Sequence, residues 1–242
     1  MQKESDTLDP LLSLRFFVTP LHTCSYFADR QAITLVVDPD TTLNSGQYSE
    51  LSALGFRRSG SHVYRPHCPS CRDCIPIRIE VDKFSPNRSQ RRIWRMNENI
   101  ELITRPADFC DEHYSLYRRY IQDRHPAGGM DQDDPEQYRH FIQTDWCQTQ
   151  LFELREAGEL LAVAVTDVLE NGLSAVYTFY DPSKLARSLG TWAILRQIEA
   201  CRQRNLKWLY LGYWIPDSPK MQYKSRFTPF EYFDGQGWRQ KE

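Results

Sequence analysis

From Gln150 onward the hydrophobic period of the chain is two, and this alternation limits the possible folds more than any other feature. Leu151 to Leu154, Leu160 to Leu169 and Leu173 to Tyr180 read as three successive strands. Ala157-Gly158 and Asn171-Gly172 stand between them as hairpin turns, so neighbouring strands run antiparallel. After Asp181-Pro182, the Ser188-Leu189-Gly190-Thr191 segment opens a helix to about Arg204, with Ile194, Leu195 and Ile198 on its buried face. Trp208 to Tyr213 then reads as another strand, followed by a loop and the basic end Lys220 to Arg226.

Upstream the pattern is mixed. Phe16-Phe17-Val18 and Ile33 to Val37 are strand-like. Asn44 or Ser45 can cap a short helix through Leu54, which Gly55 stops. Ser61 to Arg65 reads as a strand. In the next, Ile75, Ile77, Ile79 and Val81 alternate with Pro76, Arg78 and Glu80, so one face is buried and the other presents Arg78. Pro76 calls for an edge or a bulge near its start. Ser85-Pro86 reads as cap and first turn of a helix with an apolar stripe of Ile93, Met96 and Ile100. Asp108 is placed to cap a longer helix to about Gln122, ended by Arg124-His125-Pro126-Ala127-Gly128-Gly129-Met130; Pro135 to Ile142 is a short helix. Met1 to Pro10 is polar and expected to fray. No linker divides the chain, and a boundary is expected within Gly128 to Asp145. That gives a basic, cysteine-containing α/β subdomain over residues 1–130 and a second domain over 131–242.

A formal net charge of −2 excludes a uniformly basic nucleic-acid coat but not a basic face. Arg57, Arg58, Arg65, Arg72, Arg78, Lys83, Arg88, Arg91, Arg92 and Arg95 crowd the stretch from Phe56 to Arg95, against only Asp73, Glu80 and Asp82. Arg88, Arg91, Arg92 and Arg95 fall at i, i+3, i+4 and i+7, on one helix stripe. Like charges at that spacing repel by a few tenths of a kcal/mol per pair, roughly, so an anionic partner explains them better than helix stability does. Leu11 to Val18 is too short and too interrupted by Arg15 for an export signal, and no apolar run approaches a membrane span. The cytoplasm is the expected compartment.

Three of the seven cysteines form a Cys68-x-x-Cys71-x-x-Cys74 run, with Cys24 upstream. Without export signals, such spacing reads as reduced thiols or metal ligands rather than disulfides. Cys110, Cys147 and Cys201 lie in apolar contexts and read as packing residues.

Antiparallel strands, a helix opening on Ser-Leu-Gly-Thr, then one further strand: this order is that of an acyl-CoA N-acyltransferase (GNAT) core, an α+β mixed sheet with flanking helices. Several motifs occur with it in one order: Gly55-Phe56-Arg57-Arg58-Ser59, Tyr64-Arg65-Pro66, the cysteine run, Ser85-x-x-Arg88-Ser89-x-x-Arg92, Tyr177-Thr178-Phe179-Tyr180-Asp181-Pro182, Ser188-Leu189-Gly190-Thr191 and Lys220-Met221-x-Tyr223-Lys224. Together they resemble the aminoacyl-tRNA–protein transferases from Phe17 to Trp238. The nearest pattern is the short bacterial branch, which transfers leucine to N-terminal Asp or Glu and so tags proteins for degradation; the larger eukaryotic branch transfers arginine. One departure is visible. The eukaryotic Cys-x-x-Cys is here Cys24-Ser25-Tyr26-Phe27, so a ligand set would be Cys24 with members of Cys68, Cys71 and Cys74. Four thiolates suit zinc or an iron–sulfur cluster.

The resemblance implies leucyl-tRNA and proteins with N-terminal Asp or Glu as partners, and a reaction that needs no cofactor because an aminoacyl ester is already activated. An α-amine, with pKa about 7.7–8.0, is partly unprotonated near neutrality. The enzyme must position amine and ester, accept a proton and stabilise an oxyanion. Candidate oxyanion donors are backbone N–H groups around Gly190, from Leu189 to Thr191, or the Tyr213 hydroxyl; Asp181 or a water is the candidate proton acceptor. Arg78, Lys220, Lys224 and Arg226 are candidates for the acceptor's carboxylate. Arg88, Arg91, Arg92 and Arg95 are candidates for tRNA phosphates. A non-catalytic tRNA-binding or metal-sensing adaptor is the reading from another class, and the acyltransferase-like order of the C-terminal half speaks against it.

Overall fold

Fourteen strands and five α-helices are formed by the residues that the computed structural model describes, namely 11, 13–124 and 134–241. In chain order they are β1 (Phe16–Val18), β2 (His22–Thr23), β3 (Gln31–Ala32), β4 (Thr34–Val37), α1 (Ser45–Ala53), β5 (Arg57–Ser59), β6 (His62–Pro66), β7 (Ile75–Glu80), α2 (Arg88–Met96) and β8 (Glu101–Pro106). There follow α3 (Asp111–Arg124), α4 (Pro135–Ile142), β9 (Thr149–Glu156), β10 (Glu159–Leu169), β11 (Gly172–Tyr180), α5 (Leu189–Gln203), β12 (Trp208–Trp214), β13 (Phe230–Phe233) and β14 (Trp238–Lys241). Short 3₁₀ helices occupy Pro182–Arg187 and Gln222–Arg226.

The three strands expected from the alternation are consecutive interior strands of an eight-stranded sheet of order β14-β13-β7-β12-β11-β10-β9-β8. Within it only β11 and β12 pair in parallel, because α5 carries the chain back across one face between them. β10 is buried on both faces. Leu161 and Ala164 pack with Trp192, Leu195 and Ile198 of α5, while Val163 and Val165 pack with Leu116, Tyr117 and Ile121 of α3 and Tyr138 of α4. Fully burying a side chain such as Leu or Phe contributes about 1.5–3 kcal/mol, so these two layers dominate the stability of the sheet. The α+β mixed sheet with flanking helices is as expected.

The N-terminal part forms a second, antiparallel sheet of order β1-β4-β6-β5, backed by α1, with a small β2-β3 pair beside it. It is locked to the large sheet by Arg58. That guanidinium donates from Nε and Nη2 to the Asp167 carboxylate, each at 2.7 Å, and Tyr48 and Thr149 donate to the same carboxylate at 2.9 and 2.7 Å. β7 and β8, which precede residue 130, lie in the same sheet as β9 to β14. Residue 130 itself, with the His125-to-Met130 segment, lies outside the described residues, as does Met1 to Pro10.

Two helix starts differ from expectation. α2 is capped by Asn87, not Ser85: the Asn87 side chain accepts from Gln90 N–H while the Gln90 side chain accepts from Asn87 N–H. Pro86 therefore precedes the cap. α3 starts at Asp111, three residues after Asp108.

Candidate active site

Two bulges split the large sheet. On β11, Val176 is inserted opposite the Val165/Thr166 step of β10; on β12, Leu211 is inserted opposite the Arg78/Ile77 step of β7. Parallel pairing runs from Gly172↔Trp208 to Ser174↔Tyr210 and stops there. A bulge bends its strand and increases its twist, so two bulges at one level drive the strands apart. Beyond Ser174 the strands diverge into a wedge, and β11 changes from buried to half-buried.

Arg57, the first residue of β5, fills the root of this wedge. Its Nη2 donates to the carbonyls of Ala175 at 2.6 Å and Val176 at 3.3 Å, which β12 has left unpaired. Its other nitrogen lies over Gly212. A Cβ there would meet Nη1 at 2.5 Å, and Gly212 also sits at φ +75°, so glycine is required twice over. Lys224, on the 3₁₀ helix Gln222–Arg226, is buried alongside and donates from Nζ to the Tyr213 carbonyl at 2.8 Å. Burial, with the Arg57 charge adding to it, lowers the Lys224 ammonium to about 7. Tyr223 lies within electrostatic reach of both Arg57 and Tyr180, and Tyr180 accepts a hydrogen bond from Arg124 Nη2 at 2.8 Å. The Tyr177 hydroxyl is buried with no partner among the described residues.

The first turn of α5 opens beside Tyr180. A Cβ on Gly190 would stand 3.5 Å from the Tyr180 ring. The N-cap Ser188 is left-handed, at φ 53°, and makes no side-chain cap. Trp192 N–H bonds back to Ser188 O at 3.0 Å. The N–H groups of Leu189, Gly190 and Thr191 precede the first intrahelical bond and are the orphan donors of this helix.

The predicted site residues separate into those gathered here and those held elsewhere. Gly190 and Lys224 flank the wedge. Tyr213 is near it, but its hydroxyl lies 3.1 Å from Gly55 O and 3.2 Å from Tyr64 O, and burial pushes the phenol well up. Its single hydrogen is engaged by backbone carbonyls, so it does not serve as an oxyanion donor. Asp181 caps the 3₁₀ helix Pro182–Arg187, accepting from the Ser183 N–H at 2.9 Å and hydroxyl at 2.7 Å. Burial raises its pKa, but these bonds outweigh burial and leave the carboxyl below its usual range, which weakens it as a base. Arg78 is not a free cation. It pairs with Glu231 at 2.7 Å and lies between the Trp208 and Trp238 rings, 3.6 and 4.2 Å from their centroids. Lys220 and Arg226 are exposed, and the Arg226 carbonyl accepts from Gln90 at 3.1 Å, tying its 3₁₀ helix to α2. Arg57, Gly212 and Tyr223 were not singled out as site residues. Arg57 and Tyr223 lie in motifs noted above, but which of two adjacent arginines enters the wedge depends on the pleat of β5.

On α2, Arg88, Arg91, Arg92 and Arg95 are all exposed. Arg91 donates to Pro86 O; Arg88, Arg92 and Arg95 make no ion pair among the described residues. The apolar stripe holds at Ile93 and Ile100, which pack on the core, but Met96 is 39% exposed, and Trp94 approaches Trp192, with ring centroids 6.4 Å apart.

Cys24, Cys68, Cys71 and Cys74 are free thiols, and the first three lie within electrostatic reach of Cys74. Burial first, then the neighbouring Cys24, Cys68 and Cys71, pushes the Cys74 thiol up to about 12. Among the described residues no three His, Cys, Asp or Glu side chains already form a metal cage. Phe27, at the departure from the eukaryotic motif, lies under the Arg30 guanidinium at 4.0 Å, and Arg30 also pairs with Asp73 at 2.5 Å.

The family model for the arginine-tRNA-protein transferase C terminus matches residues 112–234, and that for its N terminus matches residues 22–92. The chain is 52% identical to the aspartate/glutamate leucyltransferase of Alcanivorax borkumensis, covering 96% of each chain. It is 51% identical to that of Chromohalobacter salexigens, covering 94% and 93%, and 49% identical to that of Pseudomonas aeruginosa PAO1, covering 94% and 97%. In fold it is similar to the C-terminal domain of a lysylphosphatidylglycerol synthetase from Agrobacterium fabrum, with a TM-score of 0.51 at 12% identity, covering 76% of this chain and 61% of that one. With both halves matched in order and half of all positions identical over nearly its whole length, the chain belongs to the arginine-tRNA-protein transferase family.

Proposed function

We propose that this chain is an aminoacyltransferase that moves leucine from leucyl-tRNA to the α-amine of proteins beginning with Asp or Glu, tagging them for degradation in the cytoplasm. The observation that carries this reading is the 52% identity to a relative named for that reaction, over 96% of both chains. The diverging β11 and β12 with α5 opening at their mouth support an N-acyltransferase-like use of the sheet, and no described helix is long and apolar enough to cross a membrane.

The amine lone pair attacks the ester carbonyl, the C–N bond forms, and the bond to the tRNA 3′-terminal ribose oxygen breaks. The α-ammonium gives one proton to solvent before the attack, which frees the lone pair, and the proton that the nitrogen sheds after the attack goes to the leaving ribose oxygen. The orphan N–H groups at Leu189, Gly190 and Thr191 are donors for the oxyanion, since a helix N-terminus favours developing negative charge. Of the acceptor-carboxylate candidates, Lys224 is the one buried near Arg57 at the root of the wedge. Arg88, Arg92 and Arg95, exposed without ion pairs among the described residues, suit phosphates, and Arg91 lies on the same stripe. The thiols of Cys24, Cys68, Cys71 and Cys74 fit zinc or an iron–sulfur cluster by donor chemistry. Such a group would brace the joint between the two sheets and takes no part in the transfer.

The test uses leucyl-tRNA and arginyl-tRNA, labelled on the amino acid, with peptides beginning Asp, Glu or Ala. Label from leucyl-tRNA on the Asp and Glu peptides alone is expected. Label only from arginyl-tRNA would move the chain to arginine transfer, and label on no peptide would remove the enzyme reading.

A further inference from the structure

Arg57 and Lys224 are two neighbouring cations with no anion between them among the described residues. Arg58 has Asp167 and Arg78 has Glu231, but Arg57 has no carboxylate among the described residues. Its Nη2 is satisfied by two carbonyls, whereas Nη1 is buried and has no hydrogen-bond partner among the described residues. Lys224 donates to the Tyr213 carbonyl at 2.8 Å, which carries no countercharge. The two charges are close enough for Arg57 to disfavour the Lys224 ammonium. Taking a cation out of water costs several kcal/mol, on the order of what a buried counter-ion returns. Two such cations side by side are a standing demand for an anion. The unfilled donor is a guanidinium N–H, and a carboxylate is the small anion that matches a guanidinium in charge and plane.

The position of the pair fits the same ligand. It lies at the root of the wedge, near the tyrosines that border the first turn of α5. An N-terminal Asp or Glu carries its side-chain carboxylate only a few bonds from its α-amine. Holding that carboxylate at the root would turn the amine toward the mouth, where the orphan N–H groups of α5 stand. We propose that Arg57, through its unfilled Nη1, and Lys224 together recognise the side-chain carboxylate of the acceptor's N-terminal residue, which makes Arg57 a specificity-determining residue of the transfer. This rests on the leucyl-transfer reading given above. Gly212 keeps the place for Arg57, because a Cβ there would meet the guanidinium carbon at 2.6 Å.

The experiment compares the full-length chain with Arg57→Lys, Arg57→Met and Gly212→Ala. It measures kcat/KM on peptides beginning Asp, Asn and Ala at fixed leucyl-tRNA, the Kd for leucyl-tRNA, and Tm. Arg57→Met is expected to lower kcat/KM on the Asp peptide about 10- to 100-fold, the range for a hydrogen bond to a charged group, through KM. The Asp-to-Asn preference should collapse by the same factor while the leucyl-tRNA Kd holds. Arg57→Lys should keep part of the preference, and Gly212→Ala should weaken it by displacing an intact guanidinium; these two carry the test if Arg57→Met does not fold. An unchanged Asp-to-Asn ratio in folded variants overturns the proposal and leaves only a strut between strands. Weaker leucyl-tRNA binding at unchanged peptide KM also overturns it, because the anion would then be a tRNA phosphate. If the unaltered chain labels no peptide, the transfer reading falls and this inference with it; labelling by the unaltered chain with an unchanged ratio in the variants strikes Arg57 alone.

Discussion

The arginines of α2 and those of β5 and β7 look alike in composition and differ in circumstance. Arg88, Arg92 and Arg95 stand exposed on one helix stripe, free of ion pairs among the described residues. Arg58 is fully buried against Asp167, and Arg78 is held by Glu231 between two indoles. Arg57, one residue before Arg58, has neither solvent at Nη1 nor a counter-ion among the described residues. The contrast teaches that a basic cluster in a sequence is three kinds of site. Exposed charges at helical spacing await a polyanion. Paired charges hold the fold together. A buried unpaired charge marks where a ligand completes the protein.

The largest effect should come from breaking the paired class. Arg58→Met leaves Asp167 buried and uncompensated, so it should cost about 3–5 kcal/mol in denaturant unfolding; a loss under roughly 1 kcal/mol would mean that the lock between the sheets is elsewhere. Next is Lys224→Met. The folded-state value of Lys224, about 7, lies below the ordinary 10.5. The unfolded chain therefore holds the extra proton between those values, the cost is full below about 7, and stability rises with pH above it. Relative to the unaltered chain, Lys224→Met should be the more stable near pH 7 and lose that advantage toward pH 10, by at most about 1.4 kcal/mol per pH unit. A pH-independent difference in Tm would contradict the uncompensated burial. Glu231→Gln should cost about 1–3 kcal/mol by leaving Arg78 half-buried without its partner, yet leave the preference for Asp over Asn peptides unchanged. A changed preference would return Arg78 to the acceptor site. The smallest effect per residue belongs to α2. Arg88→Ala with Arg92→Ala should weaken leucyl-tRNA binding several-fold and flatten the plot of log K against log salt by about one per residue. Unchanged binding would sink the role of this helix.

The sequence alone was enough to place β9, β10, β11, α5 and β12, because a period of two broken by Ala-Gly and Asn-Gly turns leaves few arrangements. It also marked the arginine stripe of α2, which follows from spacing along one element. It missed the cap at Asn87, although Asn-x-x-Gln carries that signal as clearly as Ser-Pro does. It placed an oxyanion donor on Tyr213, whose partners Gly55 and Tyr64 lie far back in the chain. It placed an acceptor cation on Arg78, whose partner Glu231 comes from a strand 153 residues away.

What the chain determined by itself, then, was local: period, turns, caps and helix faces, all set by residues within a few positions of one another. The wedge was decided by tertiary structure. It needs a bulge at Val176 on one strand and at Leu211 on another, a glycine at 212 with no room for a Cβ, and a β5 pleat that sends Arg58 to Asp167 and Arg57 into the opening. Adjacent residues on a strand point to opposite faces, so pleat and packing, not composition, gave two neighbouring arginines different surroundings.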